Sequence, residues 1–200
     1  MSRLQRTLAA IDAANADDPN LENVDGEDVP KELIYGQRMS AVLASFAPDA
    51  SEALQIAARA QHIMRWKSPR SGYPMDRKGY LQWRHELYGL HAEWTGEIMR
   101  AEGWDEPTIA RVGTLLRKKG LKTDAEVQTL EDVICLVFLQ HYFVDFASQH
   151  PDAKVIDIVQ KTWAKMSEAG HAAALALELP SEASSLVQRA LLTPRDSNTP

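Results

Sequence analysis

Residues 133–146, VICLVFLQHYFVDF, decide the fold. Their apolar side chains show neither the strict alternation of a half-buried strand nor the single stripe of a surface helix. A segment apolar on nearly all sides belongs at the centre of a helical bundle, and it predicts a helix over residues 123–149 around which the rest of the chain packs. Working outward, the chain reads as helix after helix, with predicted spans 3–16, 31–46, 51–66, 76–100, 106–119 and 152–169 and a short piece over 171–177. The breaks carry their own chemistry. NADDPN and Pro30 bracket an acidic loop, Asp49 or Ser51 is placed to cap the third helix, and Gly120 stops the fifth. KSPRSGYPMD, residues 67–76, holds two prolines and a glycine and cannot be helical. The expectation is an all-α chain of about seven helices, one domain over residues 1–179 with a loosely attached tail over 180–200, and no internal repeat.

Composition bounds the function. At 200 residues and 44% hydrophobic content the chain can bury a proper core, so disorder is not the default. A formal charge of -6 argues against a surface that grips nucleic acid or anionic lipid as a whole. Cys135 is the single cysteine, which excludes an internal disulfide and fits a reducing compartment; inside VICLVFL it reads as a buried, inert thiol. The opening MSRLQRTLAAIDAANADDP lacks the apolar stretch of a signal peptide, and no run approaches the roughly 20 residues of a membrane span. A cytoplasmic protein with no membrane partner is expected.

Charge is nevertheless uneven. Between Gln61 and Arg84 stand Arg65, Lys67, Arg70, Arg77, Lys78 and Arg84 against Asp76 alone, a local +5 that leaves -11 for the remainder. Arg77, Arg84 and His91 are seven residues apart, almost two helical turns, and so share one stripe. His62 and Arg65 are neighbours at i and i+3, next to Trp66. If the Pro-rich loop brings the third and fourth helices together, both histidines and several arginines face one cleft. The planar fork of arginine suits phosphate, and Trp66, Tyr73, Tyr80 and Trp83 are placed to wall such a cleft or stack on a base. The bland alternative is a solvated helix face with His62 as a satisfied core histidine. Thr129 and Asp132 have capping spacing, yet TDAE at 123–126 already offers a cap, leaving Glu131 and Asp132 on an interior helix where a carboxylate needs a partner. His62, His91 and Asp132 together are a conceivable shell for a divalent metal. Lys161 and Lys165, four apart, would extend the basic wall or sit at the surface.

RAQHIMRWKSPRSGYPMDRKGYLQWR, LHAEW, GLKTDAEVQTLEDVICLVFL and KTWAKMSEAG resemble the bacterial and fungal family known as domain of unknown function 4202, over roughly residues 11–179. More distantly, the order of GQRMSAVLASF, ALQIAARAQHIMRW, LHAEWTGEIMRAEGWDEPTIARVGTLLRKKG and EVQTLEDVICLVF is similar to the HD superfamily of metal-dependent phosphohydrolases. That resemblance implies an HD-like helical fold, with His62 matching the His of the His-Asp pair, His91 a later histidine and Asp132 the closing aspartate. Ile63 stands where the pair's Asp belongs, Gln37 near the place of the first His, and Lys118 or Lys119 near another. Isoleucine cannot ligate a metal and lysine repels one, while Arg65, Arg70, Arg84 and Lys119 suit a phosphorylated ligand without metal.

Three functional classes follow. A divergent HD-like phosphohydrolase would act on a nucleotide or other phosphate ester, with His62, His91 and Asp132 as acid, base or metal ligands and Arg65, Trp66, Arg70, Tyr73, Arg77, Tyr80, Trp83, Arg84 and Lys119 binding substrate. An inactive module would bind a phosphorylated small molecule, a nucleotide or the end of an RNA through the same side chains. A purely structural, partner-binding bundle would instead expose a large apolar face.

Overall fold

The computed structural model describes residues 1–193. It is mostly helical, with a single two-stranded sheet among the described residues. The chain divides into two compact units, Met1–Leu130 and Glu131–Pro200.

In the first unit α1 (Arg3–Ala16) starts from a capping box, Ser2 accepting from the Gln5 amide while the Gln5 side chain accepts from the Ser2 amide. The acidic stretch expected as a loop contains an antiparallel hairpin, β1 (Leu21–Val24) and β2 (Glu27–Pro30). Asp25 (φ 52°) and Gly26 (φ 91°) supply the two left-handed residues that a tight hairpin turn requires. α2 (Lys31–Phe46) and α3 (Glu52–Arg59) follow, the latter capped by the Ser51 hydroxyl.

The expected helix over 51–66 therefore stops at Arg59. The chain passes through turns to Met64 in the left-handed region (φ 47°) and a short 3-10 turn, Arg65–Lys67. Buried Asn15 holds this bend, its Oδ1 accepting from the Met64 amide at 2.9 Å. After a second 3-10 turn at Arg70–Gly72, α4 (Arg77–Ala101) begins at Asp76, whose carboxylate accepts from the Gly79 amide. α5 (Glu106–Leu116) ends three residues before the expected 119, and Lys118 (φ 53°) turns the chain away. Helices α1 to α5 pack mutually around Ile11, Met39, Ile56, Ile63, Met99 and Leu115, all fully buried. Ile63 is thus a core side chain.

The predicted helix over 123–149 comes as three pieces: α6 (Ala125–Val137), a π-helical turn at Phe138–Tyr142 and α7 (Phe143–Ser148). A π turn brings i and i+5 together, and Phe138 meets Phe143 edge-on at 6.0 Å. In the second unit Val133, Val137, Phe143 and Val155 are fully buried, and Cys135 is a buried thiol that forms no disulfide among the described residues, its Sγ 3.9 Å from the Thr162 carbonyl. The span expected at 152–169 is α8 (Asp152–Trp163), and α9 (Glu168–Leu175) starts earlier than the short piece expected at 171. Within the stretch expected as a tail, α10 (Ser181–Leu192) packs on α8 and pairs Arg189 with Asp152 at 2.7 Å. Residues 194–200 lie outside the described residues. Ten α-helices are present among the described residues, against seven and a short piece expected, because the π turn at Phe138 divides one span in two and α10 forms where a tail was expected. No helix among them is long and apolar enough to cross a membrane.

Candidate functional site

The site lies in the first unit and is centred on a pair that sequence reasoning half missed. His62 Nδ1 stands 3.0 Å from Glu32 Oε2. Glu32 sits in the first turn of α2, where an acidic residue ordinarily just complements the helix dipole. Here three contacts turn it inward. Asp18 Oδ2 accepts from the Glu32 amide at 3.0 Å, Asn15 Nδ2 donates to the Glu32 carbonyl at 3.2 Å, and the same Asn15 fixes the bend after His62. The Glu32 residue is 7% exposed. Burial pushes its carboxyl up to about 7; the Arg65 cation opposes that, and the nearby Asp18 charge adds to it.

His62 stacks face-on over Tyr35, with ring centroids 3.8 Å apart and planes within 10°. Its side chain keeps 23% of its surface exposed. Arg65 Nη1 lies 3.3 Å from Nδ1 and 3.4 Å from Nε2, nearly equidistant, which makes it a charge contact with the ring rather than one aligned hydrogen bond. Desolvation first, then the charges of Arg65, Lys118, Arg84 and Lys31, holds the His62 imidazole well below its usual range, so the ring is neutral. With Nδ1 turned to Glu32, Nε2 is the nitrogen left for other chemistry.

His91 is the second histidine of the site, its ring 6.2 Å from that of His62. It is 2% exposed, and among the described residues neither ring nitrogen makes a well-aligned hydrogen bond, although the Gln61 backbone lies close enough to act on the ring. Burial holds it neutral, the nearby His62 and Arg65 acting in the same direction and the Gln61 backbone weakly against it.

Arginines frame these histidines without carboxylate partners. Arg65 lies 5.0 Å above the Trp83 ring, and the Trp83 indole donates to the Ser68 carbonyl at 2.8 Å. Arg84, half-buried, is held by the hydroxyls of Tyr80 at 3.2 Å and Tyr88 at 2.5 Å, one turn to either side on α4. Neither arginine makes an ion pair among the described residues. Lys118 Nζ lies over the Tyr88 ring at 5.6 Å.

The first unit brings His62 near His91 and Arg65, and Arg65 near Trp83, with Arg84 and Tyr80 on α4 alongside; His62 and Arg65 reach this place from the turns after α3, not from the helix expected there. Other candidates have different occupations. Arg70 donates to the carbonyls of Tyr73, Pro74 and Asp76, so its guanidinium staples the 67–76 loop. The Tyr73 hydroxyl donates to Glu86 at 2.6 Å. Trp66 is half-buried beside the bend, while Arg77 and Lys119 are exposed at the start of α4 and beyond the end of α5. Asp132 belongs to the second unit, where Oδ1 accepts from the Ser167 amide at 2.8 Å and Oδ2 from its hydroxyl at 2.6 Å, bracing the N-cap of α9. Lys161 pairs with Asp157 at 2.7 Å and Lys165 with Glu131 at 3.7 Å, so neither is a bare cation of a basic wall.

No group of three His, Cys, Asp or Glu side chains able to hold a metal ion occurs among the described residues. With Ile63 in the core and both Asp132 oxygens engaged by Ser167, the residues present do not fit the metal shell of His62, His91 and Asp132.

The family model described as Domain of unknown function (DUF4202) matches residues 5–187, and the chain belongs to that family. No curated protein and no solved structure matches the chain.

Proposed function

We propose, with that membership as premise, that this chain is a divergent HD-like phosphohydrolase of the reducing cytoplasm. It acts without a metal shell of the ordinary kind on a nucleotide or other phosphate ester. The observation that carries this reading is the His62–Glu32 pair lying beside Arg65 and Arg84, neither of which makes an ion pair among the described residues. Arg84, half-buried and held only by two tyrosine hydroxyls, is placed for an external anion, and the planar fork of arginine matches phosphate. Tyr80 and Trp83 add aromatic surface beside it, suited to a base or sugar. His62 is the reacting group, oriented by Glu32 as the imidazole of a carboxylate–histidine pair is. Unpaired His91 takes a hydrogen bond from the substrate or its attacking water.

A thermal-shift panel of inorganic phosphate, nucleotides and sugar phosphates, with and without EDTA, tests the binding half. Phosphorylated compounds should raise the melting temperature equally with chelator present, and Arg84→Ala should weaken binding by about ten- to a hundredfold, the value of one or two charge-assisted hydrogen bonds. A stabilising metal whose effect disappears in His62→Ala would overturn the metal-free form.

A second reading, an inactive module that binds a nucleotide or RNA end, is favoured by the cations that suppress proton uptake at His62. Turnover of any compound found to bind decides between the two. His62→Ala should abolish it while leaving Arg84-dependent binding in place.

A further inference from the structure

We propose that His62 Nε2 is a nucleophile that carries the phosphoryl group covalently, rather than a base that activates water. This rests on the phosphate-ester reading above and adds the identity of the reacting atom. Three observations converge on it. Once ionised, as it is above about pH 7, Glu32 accepts the Nδ1 proton through Oε2, 3.0 Å away, and leaves Nε2 as the nitrogen with the free lone pair. Tyr35, stacked 3.8 Å from the ring and nearly parallel to it, fixes the plane in which that lone pair points. Arg65 Nη1 stands 3.4 Å from Nε2 itself, with Arg84, Lys118 and Lys31 close enough to act on the same ring.

The charges separate the two mechanisms. A general base finishes its step as an imidazolium, which these cations oppose. A nucleophile finishes its step bearing a phosphoryl dianion, which the same cations stabilise. The depressed proton affinity of His62 and the carboxyl of Glu32, titrating near 7, agree with this division of labour.

Nε2 forms a bond to phosphorus as the ester P–O bond breaks; the ester oxygen leaves with the electron pair and takes a proton from water. The Nδ1 proton passes to Glu32, so the phosphorylated imidazole carries no ring charge. In the second half water attacks phosphorus, the N–P bond breaks with its pair returning to Nε2, and the Glu32 proton goes back to Nδ1. The products are an alcohol and inorganic phosphate. Glu32 is a positioning and proton-holding residue throughout, since its carboxyl acts on the reaction through His62.

The test uses the full chain and phosphoramidate, a phosphoryl donor with no recognition group of its own. His85, exposed on α4, serves as the internal reference. One phosphoryl group should add to His62, acid-labile and alkali-stable, at least about tenfold faster than to His85, as one charge-assisted hydrogen bond to the phosphoryl group provides. Arg84→Ala should remove that preference. Glu32→Gln, checked for folding by circular dichroism, should slow His62 labelling and flatten its pH dependence. Labelling of His62 no faster than of His85, or an acid-stable adduct, overturns the proposal. If inorganic phosphate still stabilises the wild type in an Arg84-dependent way while His62 stays unlabelled, the binding reading stands and the covalent step alone falls. If inorganic phosphate gives no stabilisation either, both fall.

Discussion

Glu32 illustrates how a single buried carboxyl couples the site to pH. In the folded chain it keeps its proton up to about pH 7, against 4.5 in its ordinary environment, so its stabilising contribution is fully present below 4.5 and is lost as pH rises through 7. His62 and His91 run the other way: their folded proton affinities are depressed, so stability falls as pH drops below their usual 6.5. Glu32→Gln removes only the first effect. Its stability relative to wild type, from urea unfolding at a series of pH values, should climb by up to about 3 kcal/mol between pH 4.5 and 7 and stay level above. A pH-independent difference would show that Glu32 is not the group held protonated. The sequence could not announce this residue. His62 and Arg65 drew attention as close neighbours in sequence, and His91 and Arg84 by their helical spacing, whereas Glu32 reaches His62 only through Asn15 and Asp18, polar contacts that no periodicity encodes.

Elements were legible where their ends are chemical. The Ser51, Asp76 and Asp105 caps and the prolines of residues 67–76 lie where the chain breaks, and α1, α2 and α4 match their expected spans closely. They were not legible where tertiary contacts end a helix against its own propensity, as at Met64, or where a π turn keeps an apolar run helical but shifts its register, as at Phe138. The hairpin at 21–30 had a signal, Asp25-Gly26, that its acidic surroundings obscured. Two glycines of α4 make a test of how the loop is held. A Cβ on Gly79 would stand 2.1 Å from the Pro74 carbonyl oxygen, so Gly79→Ala must push the loop off the helix and break the Asp76 cap and the Arg70 staple. Gly89 meets nothing within 4 Å. Thermal or urea unfolding should show Gly79→Ala destabilised by about 2 kcal/mol, although alanine is the better helix former. Gly89→Ala should gain up to about 1 kcal/mol. Equal gains in both would mean that Pro74 yields freely and that the loop does not fix the Arg65–Trp83 contact.

For the molecule as a whole the question is how an acidic protein takes an anion. On the proposed reading, a net charge of -6 would repel a phosphate dianion from a distance, while Arg65 and the partly desolvated Arg84 would attract it at contact range. These two act over different ranges. Salt screens charges more than about 10 Å apart at 0.1 M and leaves a partly buried pair largely intact. Raising ionic strength therefore relieves the repulsion and weakens the attraction together, and the two changes oppose each other. Titration calorimetry of inorganic phosphate between about 50 and 500 mM KCl should show an affinity that varies by less than about threefold. The exposed cations of the same region, Lys67, Arg77 and Lys78, lack that protection. An affinity that collapses by more than about tenfold over the same range would place the anion on them, with sparse, screened contacts, and would leave Arg84 a structural residue braced by two tyrosines.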